Sequence, residues 1–230
     1  MMMMIKTRTI FFASALLVLS SGNDLSGQRK DFMTWYEAEF DKRLNKKLDL
    51  SAEIEQRFDN NSLSYDRSLV TVAAEYDFTD YFEMSGGVRT FLTTGEEKNL
   101  HARYRLHMDA TGSHSLGDVD LSLRIRLHYG IEDLDRIGMI ESNNLVYRNR
   151  IEAEHHIFGT RIGVFASLEG FFLLTGNPPR NFFRMRYVAG GSYTLNFKSE
   201  FSLRYMLEDE FNVVNPLQSH ILVLGYSRTL

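Results

Sequence analysis

The chain has 230 residues, no cysteine, and 26 Lys and Arg against 30 Asp and Glu, a formal charge of −4 at pH 7. The missing cysteines exclude a disulfide scaffold and a thiolate zinc site. The mild acidity argues against nucleic acid as a partner, and the absence of any apolar run of about 18 residues argues against a transmembrane helix.

Residues 1–27 read as a secretory signal peptide. Lys6 and Arg8 form a positive n-region, Ile10 through Leu19 a short apolar h-region, and Ser20 and Gly22 supply small residues for cleavage between 22 and 27. The apolar run is too short to span a bilayer, and no cysteine follows it to carry a lipid anchor. Cleavage after Gly22 removes Lys6 and Arg8 and takes the formal charge from −4 to −6. The mature part, 28–230, is the length of one domain.

That part is a succession of segments in which apolar and polar residues alternate one by one. The clearest runs from Asp118 to Tyr129, with Val119, Leu121, Leu123, Ile125, Leu127 and Tyr129 in one phase and Asp120, Ser122, Arg124, Arg126 and His128 in the other. Period-two alternation marks a β-strand with two different environments on its faces. Such segments occupy 32–44, 47–58, 65–78, 81–92, 99–110, 117–129, 145–157, 160–173, 181–195, 200–211 and 219–230. Short connections (45–46, 79–80, 111–116, 158–159, 196–199) alternate with longer ones (59–64, 93–98, 130–144, 175–180, 212–218), and all three prolines lie in the longer set. Short turns at one rim and long loops at the other form the pattern of an outer-membrane barrel. The fold class expected is all-β, a transmembrane antiparallel β-barrel of about ten to twelve strands, twelve being favoured because bacterial single-chain barrels have even numbers. One stretch is ambiguous: Glu53 to Phe58 is rich in helix formers, and Leu50, Ile54 and Phe58 also fit a helical stripe.

The apolar phases form uncharged stripes: Val70, Val72, Ala74, Tyr76 and Phe78; Val119 through Tyr129; Ile162, Val164, Ala166 and Leu168; and Phe183, Met185, Tyr187 and Ala189. A lipid-facing surface requires this, because Arg or Lys at the midplane costs roughly 2–4 kcal/mol. A soluble sandwich or lipocalin-like barrel with its apolar face inward also alternates; strand length and the two loop classes weigh against it.

The polar phases repeat a motif. Arg103 and Arg105, Arg124 and Arg126, Arg148 and Arg150, and Arg184 and Arg186 each place two guanidinium groups on one side of a strand. Acidic pairs answer them: Glu37 and Glu39, Glu53 and Glu55, Asp118 and Asp120, Glu152 and Glu154. Unpaired buried charge is expensive, so the expectation is an interlocking Arg–carboxylate network filling a narrow lumen, since the planar guanidinium fork accepts two carboxylate oxygens. The alternative is a water-filled passage whose arginines select anions.

The block from Trp35-Tyr36-Glu37 through Arg43-Leu44-Asn45-Lys46-Lys47-Leu48-Asp49-Leu50 to Glu55-Gln56-Arg57-Phe58, the R-x-R strands, and the ending Leu224-Gly225-Tyr226-Ser227 resemble domain-of-unknown-function family 2490. The resemblance covers nearly the whole mature chain through short motifs. It implies an outer-membrane β-barrel of a Gram-negative bacterium and supplies no catalytic residues. The chain ends in Leu230 rather than the aromatic residue that insertion machinery reads, with Tyr226 in a position to serve in its place.

No enzymatic site stands out. Glu152, Glu154 and His156 share a strand face but extend over about 13 Å, too far for one metal ion holding ligands near 2 Å. Ser122, Ser167 and Ser202 lie among strand residues with His107 and His128, without a G-x-S-x-G elbow. The pairs Gly86-Gly87 and Gly190-Gly191 precede no helix, so strand curvature or close packing explains them better than phosphate binding. The functional expectation is a structural or interaction barrel with no cofactor. Its expected partners are outer-membrane lipid and lipopolysaccharide, the outer-membrane insertion machinery, and an unidentified molecule at the external loops. A narrow anion-preferring, porin-like pore is the first alternative, and an enzyme acting on lipid or lipopolysaccharide a distant one.

Overall fold

The computed structural model describes residues 29–94, 100–130, 144–175 and 181–230. The expected signal peptide and most of the loops 93–98, 130–144 and 175–180 lie outside the described residues. Eleven strands follow in order: β1 (Arg29–Arg43), β2 (Leu48–Asp59), β3 (Ser64–Thr79), β4 (Phe82–Thr94), β5 (Leu100–Leu116), β6 (Val119–Gly130), β7 (Asn144–His156), β8 (Ile162–Leu173), β9 (Asn181–Asn196), β10 (Ser199–Glu210) and β11 (Leu217–Thr229). Neighbours in sequence pair antiparallel, and β1 meets β11 to close the barrel. No helix occurs among the described residues.

Eleven falls within the expected range, but the favoured twelfth strand is absent from the closed sheet. An odd count makes the first and last strands run the same way, so closure has to be parallel: Arg29 aligns with Leu217 and Asp41 with Thr229. The barrel therefore begins at the long-loop rim and ends at the short-turn rim.

The ambiguous stretch from Glu53 to Phe58 is strand, paired on one side with β1 and on the other with β3. Two ladders of backbone hydrogen bonds override a helix propensity worth only tenths of a kcal/mol per residue. Residues 111–116, expected as a connection, continue β5 against β6. The reversal needs only Gly117 and Asp118, because Gly117 adopts φ +66°, a conformation that glycine takes without steric cost. At the opposite rim Asn60, Asn61 and Ser62 all have positive φ. The Asp31 carboxylate accepts hydrogen bonds from the backbone N–H groups of Asn60 (3.1 Å) and Asn61 (2.9 Å), tying that loop to β1.

One stripe is corrected. On β9, Arg184 aligns with Phe171 and Phe182 with Phe172, leaving Phe183 as the extra residue of a bulge. The bulge reverses the alternation locally, so Phe183 points inward and is 2% exposed rather than joining Met185 and Tyr187 outside. The other stripes face out, as at Val72, Leu123, Ile125, Leu127 and Leu168. Ring clusters flank this band. Phe172, Phe182 and Phe211 lie near the long-loop rim, and Tyr76, Phe78 and Phe82, with Phe201 and Tyr226, near the short-turn rim.

Inside, two apolar clusters occupy the long-loop half of the barrel. One is Val146, Phe171, Leu173 and Phe183, with Val213 of the β10–β11 loop packed against it. The other is Met33, Trp35, Met206, Ile221 and Val223.

Candidate functional site: the charged interior

The inward phase of each strand brings charged residues from distant parts of the chain into one lumen. Its centre is Glu169 on β8, 3% exposed. Arg148 of β7 donates to it from Nε (3.2 Å) and Nη2 (2.8 Å). Arg124 of β6 donates at 3.0 Å and Arg186 of β9 at 3.4 Å. One carboxylate thus serves three strands. Arg186 also closes on Glu208 of β10 at 3.0 and 2.6 Å, and Arg184 bridges Glu208 at 3.3 Å and Glu210 at 2.9 Å. Arg126 grips Asp109 of β5 with Nε at 2.6 Å and with Nη2.

A second group lies toward β1–β4. Arg89 donates to Glu53 at 2.9 and 3.2 Å and to the Thr71 hydroxyl at 2.7 Å. Glu55 pairs with Arg57, and Glu37 with Arg204 across the β1–β11–β10 seam. Charge-assisted bonds of this kind are roughly twice as strong as neutral ones, and they compensate groups whose desolvation would otherwise be costly.

The arginines also rest on buried aromatic rings, two of them in the apolar clusters. Arg57 stacks over Trp35 at 3.7 Å, Arg148 over Phe171 at 4.4 Å and Arg105 over Phe91 at 4.5 Å. Their flat, weakly hydrated planes suit aromatic faces while the donors remain in the fork plane for carboxylates.

Of the sixteen residues singled out by motif, Glu37, Glu53, Glu55, Arg124, Arg126, Arg148, Arg184 and Arg186 enter close interior pairs. Arg105 is buried against Phe91, and Arg103 is half-buried on the same strand. Arg150 approaches Glu152 only to 3.6 Å. Glu154 meets His156 at 3.5 Å near the short-turn rim. Glu39 lines the lumen as well. Two acids differ from expectation. Asp118 sits in the β5–β6 turn, where its backbone carbonyl lies 2.6 Å from His155 Nδ1, and Asp120 is exposed, accepting from Ser115 Oγ at 2.5 Å. Extension of β5 to Leu116 moves both to the rim, away from the arginines.

Asp109, Glu169 and Glu208, three of the main acceptors, lie outside those paired motifs, as do Arg57, Arg89 and Arg204. Each is in the inward phase of its strand. All but Glu208 are single charges rather than like-charged i, i+2 pairs, and the strand alternation is the sequence signal that marks them as inward. Among the described residues, Glu75, Asp77 and Glu83 bring carboxylate oxygens within 4.8 Å of one another, with Arg43 at 3.9 Å from Asp77. Between the charged walls remains a cavity of about 480 Å³.

Fold and interior together define a closed β-barrel with an apolar exterior and an ion-paired, partly apolar core. The chain belongs to a family described as a protein of unknown function, DUF2490, whose model matches residues 32–215, from β1 into the β10–β11 loop. No curated protein matches the chain.

Proposed function

We propose that the protein is exported and resides in the outer membrane of a Gram-negative bacterium as a non-conducting structural or interaction barrel. Support for the membrane location comes from the exterior. Along β2 to β6 the outward positions between the strand ends carry no Asp, Glu, Lys or Arg, and large apolar side chains such as Val72, Leu106 and Met108 are more than half exposed. A soluble barrel would bury that surface. The aromatic clusters at both rims fit interfacial girdles, with Tyr226 near the C-terminal end offered to the insertion machinery.

The observation that carries the closed state is the filling of the long-loop half. Val146, Phe171, Leu173 and Phe183 meet inside the barrel on one side, Trp35, Met206 and Ile221 on the other, and the arginines stack beneath them. Apolar constrictions resist wetting, and beneath them Arg57, Arg89, Arg126, Arg148 and Arg186 are held by carboxylates of the barrel itself. The role then falls to the long loops and to lipid or lipopolysaccharide around the barrel, without catalysis.

Conductance of the refolded protein in a planar bilayer tests this. A folded, inserted sample should give no discrete steps. Reproducible steps would replace the closed reading with a pore, and their reversal potential in a salt gradient would report its ion preference.

A further inference from the structure

Arg124 and Arg150 stand directly opposite each other on β6 and β7, and the next inward pair is Arg126 opposite Arg148. Like charges facing across a ladder destabilise a sheet unless something neutralises them. The upper pair is neutralised: Arg126 holds Asp109 with two bonds, and Arg148 holds Glu169 with two. The lower pair is not matched in that way. Arg124 makes one bond to a Glu169 already shared with Arg148 and Arg186. Arg150 has Glu152 at 3.6 Å, beyond hydrogen-bond distance. Both Nε–H groups are buried with no acceptor among the described residues, although buried donors are nearly always satisfied. Both residues line the cavity of about 480 Å³.

We infer that the Arg124–Arg150 pair is an anion site inside the barrel, taking hydrogen phosphate or the phosphate group of a small ester. Two adjacent guanidinium forks present donors in the plane that phosphate oxygens accept. Glu83 and Glu152 line the same cavity, and a protonated phosphate oxygen has a hydrogen to donate to such carboxylates; sulfate has none at neutral pH. The cavity lies on the short-turn side of the apolar clusters, bounded by Glu39, Glu75 and Glu83 near the short-turn ends of their strands, so the occupant would arrive from that rim. The inference goes beyond the proposed function and does not depend on it: the site is set by β6 and β7, whether the barrel conducts or not.

The test uses inorganic phosphate and the full folded protein in detergent. Ligand bound only to the folded state raises the melting temperature, by roughly 5–10 °C at a hundredfold excess over the dissociation constant. Phosphate should produce that shift where sodium chloride of equal ionic strength does not, and sulfate should produce less. Arg150→Gln should abolish it, while Arg43→Gln, at an exposed rim pair, should retain it. Absence of the shift in the wild type, its persistence in Arg150→Gln, or an equal shift with sulfate would overturn the assignment. Should Arg150→Gln fail to fold, phenylglyoxal modification of the wild type read by peptide mass decides: phosphate should protect Arg124 and Arg150 and leave Arg43 reactive, and equal reactivity with and without phosphate would overturn the site.

Discussion

The Glu169 carboxylate on β8 accepts two hydrogen bonds from Arg148 on β7, at 3.2 and 2.8 Å, with both side chains almost wholly shielded from solvent. Arg124 and Arg186 share the same carboxylate, so this pair is the junction of four consecutive strands other than their backbone ladders.

Removing that junction should be costly. Glu169→Gln leaves three guanidinium groups without their shared counter-charge, and breaking a buried pair from one side costs about 3–5 kcal/mol. Glu152→Gln, whose acid only approaches Arg150, should cost about 1 kcal/mol or less. Thermal denaturation followed by circular dichroism separates them; equal loss in both would contradict the hub role. Arg124→Gln with Arg126→Gln should also lower heat resistance.

Phe183 tests the inward bulge. Truncation to alanine in a packed cluster should cost about 3–5 kcal/mol, whereas Met185→Ala on the outer face should be milder. If Phe183→Ala melts like the wild type, the side chain is not part of the interior. Conductance appearing in this variant alone would identify the cluster as the plug.

Within the two glycine pairs, Gly87 and Gly190 are crowded and Gly86 is open. A Cβ at Gly190 would lie 2.7 Å from the Leu203 carbonyl oxygen and 2.9 Å from Phe165 Cζ; one at Gly87 would lie 2.7 Å from the Val72 carbonyl oxygen. At Gly86 the nearest atom is 3.8 Å away. Gly190→Ala and Gly87→Ala should destabilise by about 1–3 kcal/mol through overpacking, and Gly86→Ala should be neutral or slightly stabilising. Melting midpoints of the three variants check the order.

The exterior can be probed at Ile125, which faces outward in the middle of β6. In a lipid-embedded barrel, Ile125→Arg should lose roughly 2–4 kcal/mol; on a water-facing wall it should be close to neutral. Refolding into vesicles in a urea series distinguishes these outcomes. The unheated wild type should also migrate differently from a boiled sample on a gel, as a closed barrel resists unfolding by detergent alone.

Alternation by itself determined most of the architecture, because a strand's side chains point to opposite faces in strict order and each segment here keeps one apolar and one polar phase. That local rule placed Arg124, Arg126 and Arg148 inside and Val72 and Leu123 outside. It could not give the closure, since the parallel meeting of β1 with β11 follows from how many strands pair, a property of the whole sheet. Nor could it give Phe183, whose direction depends on one unpaired residue opposite Phe171 and Phe172. The partners of the arginines were equally out of reach. Glu169 lies 45 positions from Arg124 and meets it only because β6, β7 and β8 curve into one wall, and the charge network exists only once the barrel has closed around it.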